Sequence, residues 1–223
     1  MRLNQPHQTP LQAGQRQLEL RNNGTVHLYA QLAPFISGPI STDPQENYFP
    51  LHYAPTIDQA IRRGDHFVIG PIPSGVDAEA LAYLLAWPTS PDRITIFVTP
   101  AEDGMWGAKF RAFGVNVRVI AGQMPRERDA ELTKASTYDI CRVRTKEEGK
   151  AFYGKSWRDG FVTNTERNWK RRRNIGEDVV VEPEVINRSL GFDDSLSAPS
   201  SERDIKLRIG ILGRWVESLQ RHR

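Results

Sequence analysis

Residues 68 to 85 read VIGPIPSGVDAEALAYLL: an apolar strand ending at Gly70, a turn of Pro, Ser and Gly, then an apolar helix opening near Gly75. A strand that ends in glycine and feeds a helix leaves several backbone N–H groups without intrahelical partners. The helix dipole adds positive potential at the same place, so anions are drawn there. Gly70, Ser74 and Gly75 are the candidate phosphate-binding residues, and Asp77 is a carboxylate beside whatever the turn holds. The turn is neither GxGxxG nor a P-loop, and Pro71 and Pro73 remove two donors. A second reading is also concrete: Ser74 as N-cap, with Asp77 three positions on, makes a capping box. Cradle and cap both remain open on the residues alone.

The elements that must position this turn follow from hydrophobic period and breakers. TVHLYAQL (25–32) reads as the first strand, and residues 33–55, with five prolines, as a long loop. Tyr48, Phe49 and Tyr53 in that loop could close over a pocket and stack on a base, with His52 among them. A short helix over 55–64 has Thr56 as N-cap and Gly64 as its stop. Strands follow at 66–70, 93–99, 115–120 and 138–143, alternating with helices at 75–87, 104–114, 125–136 and 145–154. Such alternation implies right-handed crossovers, so the fold class is α/β: a Rossmann-like three-layer sandwich on a mostly parallel five-stranded sheet. The domain spans 25–160, after a flexible lead-in (1–24). A basic, then acidic and Ser-rich linker (161–204) and an amphipathic terminal helix (205–223) follow.

The order GDHFVIGPIPSGVDAEALAYLL, ITIFVT, VNVRVI and RERDAELTKASTYDI resembles the SLOG superfamily of Rossmann-like proteins, in its YspA-like branch, over about residues 25–153. The layout is also similar to that of fungal proteins. In that branch a strand ending in a Gly-rich turn with a following Asp opens a helix, and an Arg-(Asn/Asp)-x-x-(Met/Leu) motif begins a later one. Gly70, Gly75 and Asp77 stand on the first motif; Arg128, Asp129 and Leu132 stand on the second. The resemblance implies a nucleotide or nucleoside-phosphate ligand at the strand ends. Related branches cleave the N-glycosidic bond of nucleoside monophosphates or bind single-stranded DNA. Pro71 departs from the first motif, and the PGGxGTxxE motif of the glycosidic-bond-cleaving branch is missing, so that branch's activity does not carry over.

Breaking an N-glycosidic bond builds positive charge on the ribose, which calls for a carboxylate near C1′ and a proton donor to the departing base. Asp77 and Asp129 are the candidate catalytic residues. Asp77 holds ribose hydroxyls or faces the cationic carbon, Arg128 pairs with a phosphate, and Asp129 orients Arg128 or serves as the second carboxylate. Against this, Asp77 can be a cap, and Arg128 and Asp129 can be solvated charges on a polar helix. A non-catalytic ligand sensor is the alternative of a different class.

Lys+Arg 30 against Asp+Glu 27 gives +3, too small an excess to argue for nucleic acid globally. Locally, Lys170, Arg171, Arg172 and Arg173 form a basic run suited to nucleic acid, to nuclear localisation or to a solvated linker. A mean hydropathy of −0.53 and no long apolar run argue for a cytoplasmic protein, or a nuclear one if the run is a signal, with no membrane span. One cysteine, Cys141, permits no internal disulfide, and no Cys/His spacing suggests zinc, so no metal or cofactor is expected. The terminal helix can dock on the body, as is commonest, make a homo-oligomer contact or lie on an acidic surface. His27 and His66, in or beside strands, read as structural.

Overall fold

Five short strands form one sheet: β1 (Pro34–Ser37), β2 (Phe67–Ile69), β3 (Ile94–Val98), β4 (Asn116–Val119) and β5 (Tyr138–Cys141). The structure, a computed structural model, describes residues 31–43, 46–87 and 89–188. All strand pairs are parallel, in the order β4-β3-β2-β1-β5. Parallel neighbours require crossovers, and helices supply each of them. α1 (Tyr48–His52) and α2 (Ala54–Arg63) link β1 to β2, and α3 (Gly75–Ala86) links β2 to β3. α4 (Pro100–Glu102) runs through a π turn, Asp103–Gly107, into α5 (Ala108–Ala112) before β4, and α6 (Pro125–Ala135) crosses back to β5. The α/β Rossmann-like three-layer arrangement expected from the alternation is the one that forms.

Because side chains alternate across a strand, the inner strands feed two cores, whereas the edge strand β4 is largely exposed. Ile36, Phe67, Ile69, Ile94, Ile96 and Ile140 face one layer, where Phe49, Ile57, Leu81 and Phe110 come from α1, α2, α3 and α5. The intervening Phe35, Val68 and Phe97 meet Leu132 of α6 on the other face. Burial on both faces explains why these strands read as unbroken apolar runs. Cys141 and Val143 meet Trp169 of α8 (Asn164–Arg172) and Ile186 of α9 (Pro183–Arg188), so residues read as linker contribute a third cluster. α7 (Lys146–Tyr153), expected as a helix over 145–154, opens with a Thr145–Glu148 capping box.

Several sequence expectations are corrected here. The stretch read as a long loop holds β1 and α1, and three of its prolines occupy positions that need no N–H donor. Pro34 is the first residue of a strand, Pro50 lies in the first turn of α1, and Pro55 lies in the first turn of α2. The N-cap of α2 is Tyr53 rather than Thr56, while Gly64 ends the helix at φ 83°, a conformation that suits glycine. Gln31 and Leu32, the end of the strand expected at 25–32, are not in a strand, and residues 25–30, His27 included, lie outside the described residues. The lead-in 1–24, the linker's last part and the terminal helix 205–223 also lie outside them. Among the described residues no helix is long and apolar enough to cross a membrane.

Candidate functional site

The carboxyl ends of parallel strands face the helix N-termini, which is where α/β proteins hold ligands. Here β2 delivers Gly70, β3 delivers Thr99 and Glu102, and the start of α6 delivers Arg128 and Asp129. Ser74 stands at the N-cap position of α3 but makes no side-chain cap. Its Oγ instead donates to the Ile40 carbonyl at 2.9 Å. The capping box expected from Ser74 and Asp77 is therefore not formed. Segment 38–43 lies over the turn as a strap: the Val76 N–H donates to the Pro39 carbonyl at 3.0 Å, and Thr42 Oγ1 donates to Glu79 Oε1 at 2.8 Å. Two carbonyls thus take donors that the cradle reading assigned to an anion.

Asp77, freed from capping, folds back over the end of β2. A Cβ on Gly70 would lie 2.2 Å from Asp77 Oδ2, so only a glycine leaves room for the carboxyl in this place. Oδ2 accepts a long hydrogen bond, 3.4 Å, from the Ile72 N–H. Burial pushes the Asp77 carboxyl up to about 7, aided by the negative charges of Asp129 and Glu102 and opposed by Arg128 and the Ile72 N–H. Asp77 thus changes charge close to neutral pH, which an ordinary aspartate does not.

Arg128 is the hub of this end of the sheet. It is 5% exposed, its Nη1 donates to Glu102 Oε1, and its Nε and Nη2 both donate to Asp129 Oδ1 at 3.1 and 2.9 Å. Glu102 is fixed in turn by the Thr99 capping box, in which its Oε2 accepts the Thr99 N–H at 2.8 Å. Arg128 and Asp129 are buried partners, not solvated charges on a polar helix. Asp129 takes the orienting role, and three carboxylates (Asp77, Glu102, Asp129) gather around one guanidinium. A group with surplus negative charge suits sugar hydroxyls or a developing cation better than phosphate.

Sequence reasoning missed Glu102, although Thr99-Pro-Ala-Glu102 after a strand is a readable capping-box signal. It gave Tyr53 the wrong role: instead of closing over a pocket, its hydroxyl donates to the Ser37 carbonyl at 3.0 Å and accepts the Arg142 N–H at 3.1 Å, fastening β1 to β5. Tyr48, Phe49 and Tyr53 are buried in the main core, so they form no aromatic cover over a pocket. His52 is half-buried; burial and Arg142 lower its pKa, so it is neutral at pH 7. Burial raises the thiol pKa of Cys141 far above the ordinary range, which makes it unreactive.

The basic run is engaged internally. Lys170 is 1% exposed and pairs with Glu166 at 2.7 Å. Arg172 and Arg173 clasp Asp139 of β5 at 2.9 and 3.0 Å, and Arg173 also lies 4.1 Å from the Trp169 ring centroid. Arg171 donates to Asn168. Replacing Arg172 and Arg173 together by Gln should lower stability by about 2 kcal/mol in urea denaturation, since the buried Asp139 would lose both cations. A solvated run would show no such loss. No protein-family model, curated protein or solved structure matches the chain.

Proposed function

We propose that the chain binds a nucleotide or nucleoside-phosphate ligand at the carboxyl ends of its strands, as the SLOG-type motifs imply, and that the carboxyl groups gathered there hydrolyse its N-glycosidic bond. The observation that carries this reading is the Asp77 carboxyl, seated on the Gly70 backbone and titrating at about 7. At neutral pH a large fraction of Asp77 carries a proton, which passes to the departing base as C1′–N breaks; a water oxygen then bonds to C1′ and the proton it sheds returns to the Asp77 carboxylate. Glu102 and Asp129 add negative potential that favours the cationic sugar, and Arg128 holds both in place. The phosphate of the ligand points away from this carboxylate group.

The test is a thermal-shift screen with AMP, GMP, CMP, UMP, NAD and ADP-ribose, followed by chromatography for free base. Asp77→Asn should keep binding and lower base release about a hundredfold. Gly70→Ala, which displaces the carboxyl without removing it, should act in the same direction. Binding with no base release from wild type would make the protein a ligand sensor. No stabilisation by any compound would overturn the reading.

The same carboxyl sets a pH dependence of stability. Asp77 has an ordinary pKa of 3.8 and a folded one of about 7, so folding takes up a proton between these values. Its contribution to stability is therefore lost as pH rises from about 4 to 7, and the penalty is complete above that. Asp77→Asn removes the penalty. Its stability advantage over wild type should grow by about 2 to 3 kcal/mol between pH 5 and pH 8, measured by denaturant titration at each pH. An advantage that does not change with pH would show that Asp77 titrates normally.

A further inference from the structure

Away from the strand ends, α7 and the segment after it present rings and cations together. Tyr153 is 40% exposed and Phe161 64%. The Tyr153 and Trp157 rings are stacked, with centroids 6.3 Å apart and planes 26° from parallel, and Phe152 meets Tyr153 edge-on at 4.9 Å. This pair has a built seat. A Cβ on Gly149 would lie 2.0 Å from Trp157 Cζ3, so the indole lies directly on the helix backbone where only glycine allows it. Trp157 Nε1 donates to Asp159 Oδ1 at 3.3 Å, and Asp159 pairs with Lys146 at 3.2 Å, which fixes the indole edge.

Around this seat Lys150, Lys155 and Arg158 are exposed and form no ion pair among the described residues. Glu148 is turned inward to Arg142 and the Thr145 N–H, which leaves exposed Glu147 and Asp159, the latter paired with Lys146 and near the Lys150 charge, against Lys146, Lys150, Lys155 and Arg158, a net excess of positive charge. Stacked rings select a flat π partner, and free cations beside them select a polyanion. We propose that this surface binds single-stranded nucleic acid, one base stacking on the Tyr153–Trp157 pair while Lys150, Lys155 and Arg158 hold the flanking phosphates. The surface is separate from the basic run 170–173 and from the Asp77 site, and the proposal stands whether or not that site binds nucleotides.

Fluorescence anisotropy of labelled dT12 and rU12 with the full chain tests it. Three phosphate contacts on a single strand give about a twentyfold loss of affinity between 50 and 200 mM salt. Tyr153→Ala should weaken binding about tenfold with the salt slope unchanged, whereas Tyr153→Phe should bind as wild type. Replacing Lys150, Lys155 and Arg158 together by Gln should flatten the slope. Circular dichroism checks that the variants are folded; should Tyr153→Ala not fold, Tyr153→Leu and the triple variant carry the same comparison. No binding at 50 mM salt overturns the proposal, as does wild-type affinity in Tyr153→Ala or equal affinity for a duplex of the same length. Binding only to phosphatidylserine vesicles, or binding lost in Arg171→Gln instead, overturns it as well.

Discussion

Arg128→Met is expected to destabilise the fold by about 3 to 5 kcal/mol at pH 7, which would be the largest loss from any single substitution at the strand ends. The side chain is buried and holds Glu102 and Asp129 while facing Asp77. Removing it leaves three carboxylates crowded in a poorly solvated place with no cation, and breaking a buried pair costs far more than the pair itself contributes. Arg128→Lys should recover only part of the loss, because one ammonium cannot donate along both directions of the guanidinium plane. The Asp77 pKa should rise above its present value of about 7, since Arg128 is the largest influence holding it down. The loss should also shrink at pH 5, where protons relieve the crowding. Urea denaturation at pH 5 and 7 checks both, and a loss under 1 kcal/mol at pH 7 would mean that Arg128 is not the hub.

Gly75→Ala should cost about 3 kcal/mol, the second largest effect. Gly75 sits at φ 61°, where a side chain meets its own backbone, and a Cβ there would lie 2.3 Å from the Pro39 carbonyl oxygen and 2.8 Å from the Ile40 Cα. Left-handed strain alone accounts for about 1 to 2 kcal/mol; the remainder comes from forcing the 38–43 strap off the helix start. Gly64→Ala separates the two parts. Gly64 has φ 83° and nothing within 4 Å of a Cβ, so its substitution should show the strain alone, about 1 kcal/mol. Thermal melts of both variants decide the matter, and equal losses would mean that the strap yields freely. Amide exchange at Val76, whose N–H is held by Pro39, should quicken in Gly75→Ala and not in Gly64→Ala.

How far the sequence could be read depended on the kind of signal each element carries. β2 and β3 are apolar on both faces and flanked by turn residues, so they were legible from composition alone, and β5, despite its buried Asp139, was legible from its Tyr, Ile and Val between helices. β1 was not: Pro-Phe-Ile-Ser is four residues long among prolines, and the β-branched, aromatic stretch before it offered a stronger local pattern. At the site, Gly70, Asp77, Arg128 and Asp129 were legible as residue types at a spacing. Their grouping was not, because Asp77 and Glu102 meet only when two crossovers place their helix starts side by side. Lys170, Arg172 and Arg173 misled for the reverse reason, since a charge run looks solvated until Glu166 and Asp139 are seen to face it.

The Tyr53 bolt between β1 and β5 has a consequence for how the chain reaches this structure. β1, β2, β3 and β4 follow one another in the sheet in sequence order, so each can add to its predecessor through a short crossover. β5 cannot. The seam it closes joins Ala33 to Thr137, 104 residues apart, and contacts of such separation form late because a long loop must be ordered first. The first four strands with α1 to α5 should therefore assemble as an early, partly exposed nucleus whose open β1 edge is a template for wrong pairing. Docking of β5, locked by Tyr53 and clasped from outside by α8, is therefore expected to be the slow step of folding, and substitutions in this seam should slow refolding more than substitutions between β2 and β3, measured by stopped-flow refolding.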